Sequence, residues 1–474
     1  MLREIHEVPE TGNSGGALSL IREALAGSGR DFTEGSLRRS IIVLAIPMIL
    51  EMIMESLFGV VDMFFVARLG VDSLATVALT ESLLVLVFGI ALGLSMATTA
   101  YVARRIGEKD PQGAAVGAVQ AIAVGLLLAI VVSAAGILWA PNLLALMGAT
   151  ASVVMLGTTY TRILLGGSAT IFLLFLINAV FRGAGDAALA MRVLWLANGI
   201  NIVLDPCLIN GWGPFPRLAV RGAAVATTIG RGVGVGMQCW LLLGGYSRVR
   251  IYARQIRIQA EILWRLLKVS FTGMLQFVIA TASWTGLIRL CATFGSGAVA
   301  GYTVAIKIFM FVILPCWGLS GAAATLVGQS LGAKKPERAE AAVYRTGRYT
   351  MFYMGSLALV FLALAPQLAG FFTSDPAVRS VASDCLRIIS VGNVCYAWGM
   401  VLVQAFNGAG DTKTPSLINF CCYWCFQIPL AYGLARPAGW GPRGVFTAIP
   451  AAETAMTICS LILFRRGLWK RKLI

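Results

Sequence analysis

Residues 116–139 read VGAVQAIAVGLLLAIVVSAAGILW, 24 positions with a single strongly polar side chain, Gln120. About 20 apolar residues wound as a helix match the hydrocarbon thickness of a bilayer. In lipid every backbone N–H and C=O must find a partner inside the segment, so such a run is helical. Runs of this kind recur along the chain and predict helices near residues 38–67, 74–103, 114–139, 151–181, 188–210, 222–245, 262–294, 298–329, 340–365, 380–407, 414–435 and 444–464. The composition agrees: 58% of the 474 residues are hydrophobic and 13% charged, against about 25% charged in soluble proteins. The 52 glycines suit closely packed membrane helices. A soluble protein is excluded.

The net charge of +16 raises the question of nucleic acid, and its distribution answers it. Arg104, Arg105 and Lys109, then Arg248, Arg250, Arg254 and Arg257, then Lys334, Lys335 and Arg338 occupy alternate loops. The tail Arg465, Arg466, Lys470, Arg471 and Lys472 joins them, whereas the connections near Pro141 and Gly295 carry no basic residue. Roughly 27 of the 38 Lys and Arg fall on one side and about 6 on the other. That is the positive-inside bias; it predicts a multi-pass inner-membrane protein with both termini cytoplasmic and no nucleic-acid partner. The ten cysteines lie in apolar segments, Cys422 and Cys425 form one isolated CxxC, and His6 is the only histidine. Packing roles are expected of the cysteines, with no metal site and no cofactor.

The chain repeats itself at an offset of 225 residues. Gly93-Leu94-Ser95 returns as Gly318-Leu319-Ser320, Gly107 with Pro111 as Gly332 with Pro336, Gly183-Ala184-Gly185-Asp186 as Gly408-Ala409-Gly410-Asp411, and Gly70 as Gly295. Six helices per half is an even number, so the halves share one orientation. The expected fold is an all-α integral membrane protein, with twelve transmembrane helices in two six-helix lobes related by a pseudo-two-fold along the membrane normal. The divisions are a polar cytoplasmic tail (1–36, disordered apart from a short helix around Leu18–Leu25), an N-lobe (37–245), a basic linker (246–260), a C-lobe (261–466) and a basic tail (467–474). The expected unit is a monomer.

Charged side chains at mid-membrane cost about 2.5–3.5 kcal/mol each on insertion scales, so each needs a reason. Glu51, Glu55 and Asp62 of the first helix fall within about 40° of one another at the helical period, on one face. Asn198, Asn201 and Asp205 form a second stripe on the fifth helix. One repeat on, these acids become Gln276, Ala280, Leu287 and Leu430, and Asn201 becomes Phe426. Only the first half keeps them, which suits a site for a proton or small cation. Glu81 and Lys307, near-equivalent positions, are candidates for a substrate cavity together with Gln276. Arg231 and Arg289 are expected to snorkel or pair. Asp186 and Asp411 are expected to cap the helices that follow them, and the glycines at 230, 232, 234 and 236 to serve close helix packing. No Walker motif exists, and the repeated GxGD sits at helix ends beside Arg182 and Lys413, which argues against ATP-driven transport and an intramembrane protease.

Together these residues resemble the multidrug and toxic compound extrusion (MATE) family from about Arg38 to Arg466. The resemblance rests on Leu44-Ala45-Ile46-Pro47, Val61-Asp62 leading to Arg68-Leu69-Gly70, Val327-Gly328-Gln329-Ser330-Leu331-Gly332-Ala333, Gly410-Asp411-Thr412-Lys413-Thr414-Pro415, and Asn201 with Asp205. It implies a secondary antiporter, not an enzyme, exporting small amphipathic, often cationic, molecules against inward H⁺ or Na⁺. It implies coupling-ion binding at Asp62, Asn201 and Asp205, with Asn178 and Thr227 similar to further polar positions. Glu51 and Glu55 are additions to the usual pattern, and the acids of the C-lobe are missing at the seventh and tenth helices, as in the DinF-like branch. Pro47 and Gly59 are expected hinge points of the first helix. The alternative is a lipid-linked oligosaccharide or lipid flippase of the same superfamily, whose cavity would be cationic.

Overall fold

A computed structural model describes residues 17–27 and 29–472, so His6 lies outside the described residues. The helices are α1 (Ala17–Ala26), α2 (Leu37–Ala67), α3 (Val71–Gly107), α4 (Pro111–Leu146), α5 (Ala151–Gly166), α6 (Ser168–Ala184), α7 (Ala187–Asn210) and α8 (Val220–Gly244). After the linker come α9 (Ala260–Ala292), α10 (Ser296–Gly332), α11 (Pro336–Gly370), α12 (Pro376–Val391), α13 (Asn393–Gly408), α14 (Lys413–Asn419), α15 (Ile428–Ala435) and α16 (Pro442–Arg465). Among the described residues, ten helical segments are long and apolar enough to cross a membrane, and the bent pair α12–α13 makes an eleventh. The glycine-rich α8 completes twelve.

These helices are apolar on the outside. Only 28% of the most apolar stretch of α4 is buried within the protein, and Leu127, Ile130, Val131 and Leu138 stand exposed. In water that would be a large sticky patch; against lipid it is the required surface. Gln120, the polar residue of the opening stretch, is fully buried and ties the linker to α4. Its Nε2 donates to the Arg257 carbonyl (2.7 Å), and its Oε1 accepts from the Gln259 N–H (3.0 Å).

The repeat reappears as geometry. The fourth span breaks at Gly167 and the tenth at Gly392, one repeat apart, the latter with a 60° bend where a single helix was expected. Lys109 and Lys334 share a positive φ of 58° in equivalent turns. Most telling are the close contacts between halves. A Cβ added to Gly107 of α3 would strike the Gln329 carbonyl of α10, and one added to Gly332 of α10 would strike the Arg104 carbonyl of α3. These are the same pair of positions exchanged. Gly93 of α3 likewise meets Met274 of α9, as Gly318 of α10 meets Ile49 of α2. Exchanged contacts of this kind define a two-fold relation between the halves.

Glycines serve packing selectively. Gly230 and Gly234 of α8 abut Ala197 of α7, but Gly232 and Gly236 have nothing within 4 Å, so the close-packing expectation holds for two of the four.

Two further expectations change. Asp186 does not cap α7: its Oδ2 accepts from Ser247 Oγ (2.7 Å) and the Arg248 N–H (2.8 Å), fastening the end of α8 to the α6–α7 turn. Burial holds this carboxyl above the usual carboxylate range, against the opposing effect of those hydrogen bonds. Asp411 accepts from Thr414 Oγ1 and faces Lys472 at 3.2 Å rather than capping α14. The segment before α2 is also ordered over its described part. The expected short helix is α1, Phe32 is buried, and Arg338 donates to the carbonyls of Phe32, Glu34 and Gly35. Polar composition suggested disorder, but the basic loops supply charged partners that composition alone does not reveal.

Gly332→Val is expected to force α3 and α10 apart, at a cost of about 1–3 kcal/mol for overpacking. Thermal unfolding in detergent should show a lowered midpoint for this variant and an unchanged one for Gly232→Ala, which meets open space; equal midpoints would refute the contact.

Candidate functional site

The face of α2 bearing Glu51, Glu55 and Asp62 packs on α7, and α6 and α8 close around it. Its three acids have three different surroundings. Glu51 is 3% exposed. Asn178 Nδ2 of α6 donates to its Oε1 at 3.2 Å, Arg182 Nη1 stands 3.5 Å from the same oxygen, and Gln238 Nε2 of α8 donates to Asn178 Oδ1 at 2.8 Å. Glu51 is therefore charge-compensated inside a polar chain running across three helices. Arg182 and Gln238 are members that sequence reading did not bring to it.

Glu55 accepts from Asn198 Nδ2 at 3.0 Å. Arg231 of α8 stands within electrostatic range of Glu55 and Asp62 and over the Phe88 ring at 5.7 Å. Expected to snorkel or pair, Arg231 makes no ion pair within 4 Å among the described residues, so its charge acts on the two carboxylates at longer range while the guanidinium rests on the Phe88 ring. Arg289 of α9, also expected to pair, closes the last turn of its helix.

The side chains of Asp62 and Asp205 meet each other, with Tyr160 of α5 within electrostatic range. Asp205 is 0% exposed. Both of its oxygens, Asp62 Oδ1 and Asn201 Oδ1 are buried without a hydrogen-bond partner among the described residues, while Asn201 Nδ2 is spent on Thr227 Oγ1 at 3.0 Å. Four buried acceptor oxygens on these three residues thus lack a hydrogen-bond donor among the described residues. Such a set is complete only when a proton or a small hard cation joins it.

The remaining candidates lie elsewhere. Glu81 of α3 is exposed and stands within electrostatic range of Asp62 and of Lys307 of α10, linking the acidic cluster to the second half. Gln276 is buried on α9 with its Oε1 unpartnered among the described residues, and no hydrogen bond joins it to the carboxylates. α2 passes unbroken through Pro47 and Gly59.

The expectation that acids are kept by the first half alone is incomplete. Glu453 of α16 is 5% exposed; Tyr423 Oη donates to its Oε1 at 3.2 Å, and its Oε2 is unpartnered among the described residues. The 225 offset hides it, because the repeat drifts to 222 near the end of each half, where Arg221-Gly222 parallels Arg443-Gly444. With that drift, Glu453 occupies the place of Arg231.

A twelve-helix, internally duplicated membrane protein with a buried polar cluster within one half is the architecture of ion-coupled transporters. The MatE family model matches residues 47–207 and again 270–433, one match per half, and the chain belongs to this family of multidrug and toxic compound extrusion transporters. Its relatives are transporters. It is 25% identical over 448 residues to the probable multidrug resistance protein NorM of Thermotoga maritima, covering 92% of this chain and 94% of the relative. It is 25% identical over 430 residues to the FAD transporter of Shewanella oneidensis, covering 90% and 94%. A multidrug resistance MATE transporter solved in an outward-facing conformation superposes with a TM-score of 0.86 at 28% identity, covering 93% of this chain and 98% of the other.

Removing one member of a buried ion pair leaves the other uncompensated. Glu51→Leu is expected to cost about 3 kcal/mol, and the double variant Glu51→Leu with Arg182→Leu less than that single change. A double-mutant cycle from unfolding in detergent measures this coupling; additive costs would show that the two side chains do not pair.

Proposed function

We propose that this protein is a secondary active multidrug antiporter, exporting amphipathic, cationic compounds in exchange for H⁺ or Na⁺ by alternating access. The observation carrying this reading is the donor-free meeting of Asp62 and Asp205, with the Asn201 oxygen beside them. Two carboxylates in one water-poor site cannot both stay ionised without a proton or cation between them. The outward gradient of substrate is then set against the inward gradient of that ion. Asp62, Asp205 and Asn201 hold the ion, Thr227 orients Asn201, and Glu55 with Arg231 sets the local charge. Glu51 and Asn178 support the site from its closed end. Glu81, Lys307 and Gln276 face the substrate path between the lobes.

The basic face is cytoplasmic in this reading, both termini lie there, and the membrane is the inner one. The moving bodies are an N-lobe of 37–245 and a C-lobe of 261–466 joined by the linker 246–260, working as a monomer. α2, unbroken in this state, is to bend during transport at Pro47, which lacks a donor for the helical ladder, and at Gly59, where an added Cβ would meet nothing within 4 Å. To drive the change, the ion must bind the two states unequally; moving a 1:99 mixture to 99:1 takes about a 10⁴-fold preference.

The test uses the purified full-length protein in liposomes, with a pH gradient or a Na⁺ gradient imposed separately and a fluorescent lipophilic cation as probe. Wild-type protein is expected to move the cation under one gradient, and Asp205→Asn to lose at least about tenfold of that rate, the scale of one removed site charge. Transport at the wild-type rate by Asp205→Asn would overturn the site. Absence of movement under either gradient would replace a cationic drug by a lipid substrate.

A further inference from the structure

Beside the contact of α3 with α10, at the end of the molecule that carries the basic loops, lies a cavity of about 890 Å³. Six cationic side chains line it: Arg104, Lys334, Arg465, Arg466, Lys470 and Arg471, and no acid is among its lining residues. Nearby carboxylates reach only two of them. Lys470 Nζ pairs with Glu340 at 2.6 Å, and Arg104 stands 3.8 Å from Glu108. Lys334, Arg465, Arg466 and Arg471 have no ion pair among the described residues, and Arg104 Nη1 is buried without a hydrogen-bond partner.

A positive-inside bias alone would leave these charges on mobile tails in water. Here the wall is built. Trp469 is buried, stacks on Phe464 at 4.6 Å and donates its Nε1–H to the Phe464 carbonyl at 2.9 Å, locking the turn Leu468–Arg471 onto the end of α16. Arg104 Nη2 donates to the Lys472 carbonyl at 2.9 Å, and Lys472 pairs with Asp411. With the Lys470–Glu340 pair, the C-terminal segment is fastened at four points, three within the second half and one to α3 of the first.

We infer that this cavity is a binding site for a phosphate-bearing anion, held jointly by the two halves. Four uncompensated cations around one open cleft repel one another until a multivalent anion enters, and phosphate oxygens match the forked donors of arginine. The site stands where span α16 ends, the level at which phospholipid phosphates lie, and basic pockets between membrane helices bind such headgroups. A soluble phosphate compound offers the same chemistry. Because Arg104 comes from the first half and the other five from the second, an occupant ties the halves together beside Gly107 and Gly332 and favours the arrangement in which this face is shut. The inference is independent of the ion site at Asp62 and Asp205, and its test requires no transport.

Delipidated full-length protein in detergent is titrated with an anionic phospholipid, a zwitterionic phospholipid of the same chains, and inorganic pyrophosphate, with bound copies counted by native mass spectrometry. The variant Arg465→Gln with Arg466→Gln alters two exposed side chains, and Arg254→Gln with Arg257→Gln removes equal charge from the linker on the same face. Selective binding of the anionic lipid, weakened tenfold or more by the first variant and unchanged by the second, is the expected result. Binding of pyrophosphate with the same dependence on Arg465 and Arg466 upholds the site and identifies its source as soluble. Binding of neither, or equal weakening by both variants at matched melting temperatures, would overturn it.

Discussion

Everything else in this molecule hangs on the approach of two helix backbones, α3 and α10, through glycines that stand one repeat apart. Gly107 admits the Gln329 carbonyl and Gly332 admits the Arg104 carbonyl, so neither helix can retreat without opening both contacts. Membrane helices gain little from mutual apolar burial, since lipid is equally apolar, and association rests on close packing and polar contacts. The glycines provide the first. Thr325 Oγ1 and Gln329 Nε2 of α10 provide the second by donating to the Arg182 and Gly183 carbonyls across the halves. With this seam fixed, the positions of α2 against α10 and of α9 against α3 follow, and the polar face of α2 is turned inward onto α7.

The interior of the first half then solves an electrostatic problem in graded steps. Glu51 has a cation and an amide; Glu55 has an amide and shares a guanidinium; Asp62 and Asp205 have each other. Compensation falls away along α2 from its middle toward the end away from the basic loops, leaving the last pair to be completed from outside the protein. The second half has no such gradient. Its buried acid, Glu453, rests among Tyr423, Tyr396 and apolar neighbours, on the helix equivalent to the one where the first half places Arg231. One position carries a base in one half and an acid in the other.

The fold was legible because its causes are local and repetitive. Apolar length fixes a span, the basic loops fix its direction, and a repeat with an even number of spans fixes the symmetry. The 60° bend at Gly392 was not legible, since a glycine in an apolar run is equally at home in a straight helix. Within the site, helical phase alone put Glu51, Glu55 and Asp62 on one face and predicted a facing stripe on α7. Phase says nothing about which residue arrives from a third helix, so Arg182, Gln238 and the nearness of Arg231 to two carboxylates came only with the packing. Asp186 and Asp411 misled for a related reason: the residue before a helix suggests a cap, but a hydroxyl and a backbone N–H (Asp186) or an ammonium (Asp411) from a distant segment competes for the same oxygens. The ordered segment before α2 escaped notice because its binding partners, Lys335 and Arg338, lie some three hundred residues away in the chain.

The reciprocity of the α3–α10 seam carries a historical implication. A surface that meets its own repeat is self-complementary, so a single ancestral six-helix unit bearing it would have paired with an identical copy inserted in the same direction. Joining two such units through a linker like 246–260 would preserve that partnership. Fusion also released the two copies from sharing every mutation, because a homodimer must place each charge twice. Arg231 opposite Glu453 is the mark of that freedom: one descendant kept a base and the other an acid, a division of labour that no symmetric ancestor could adopt.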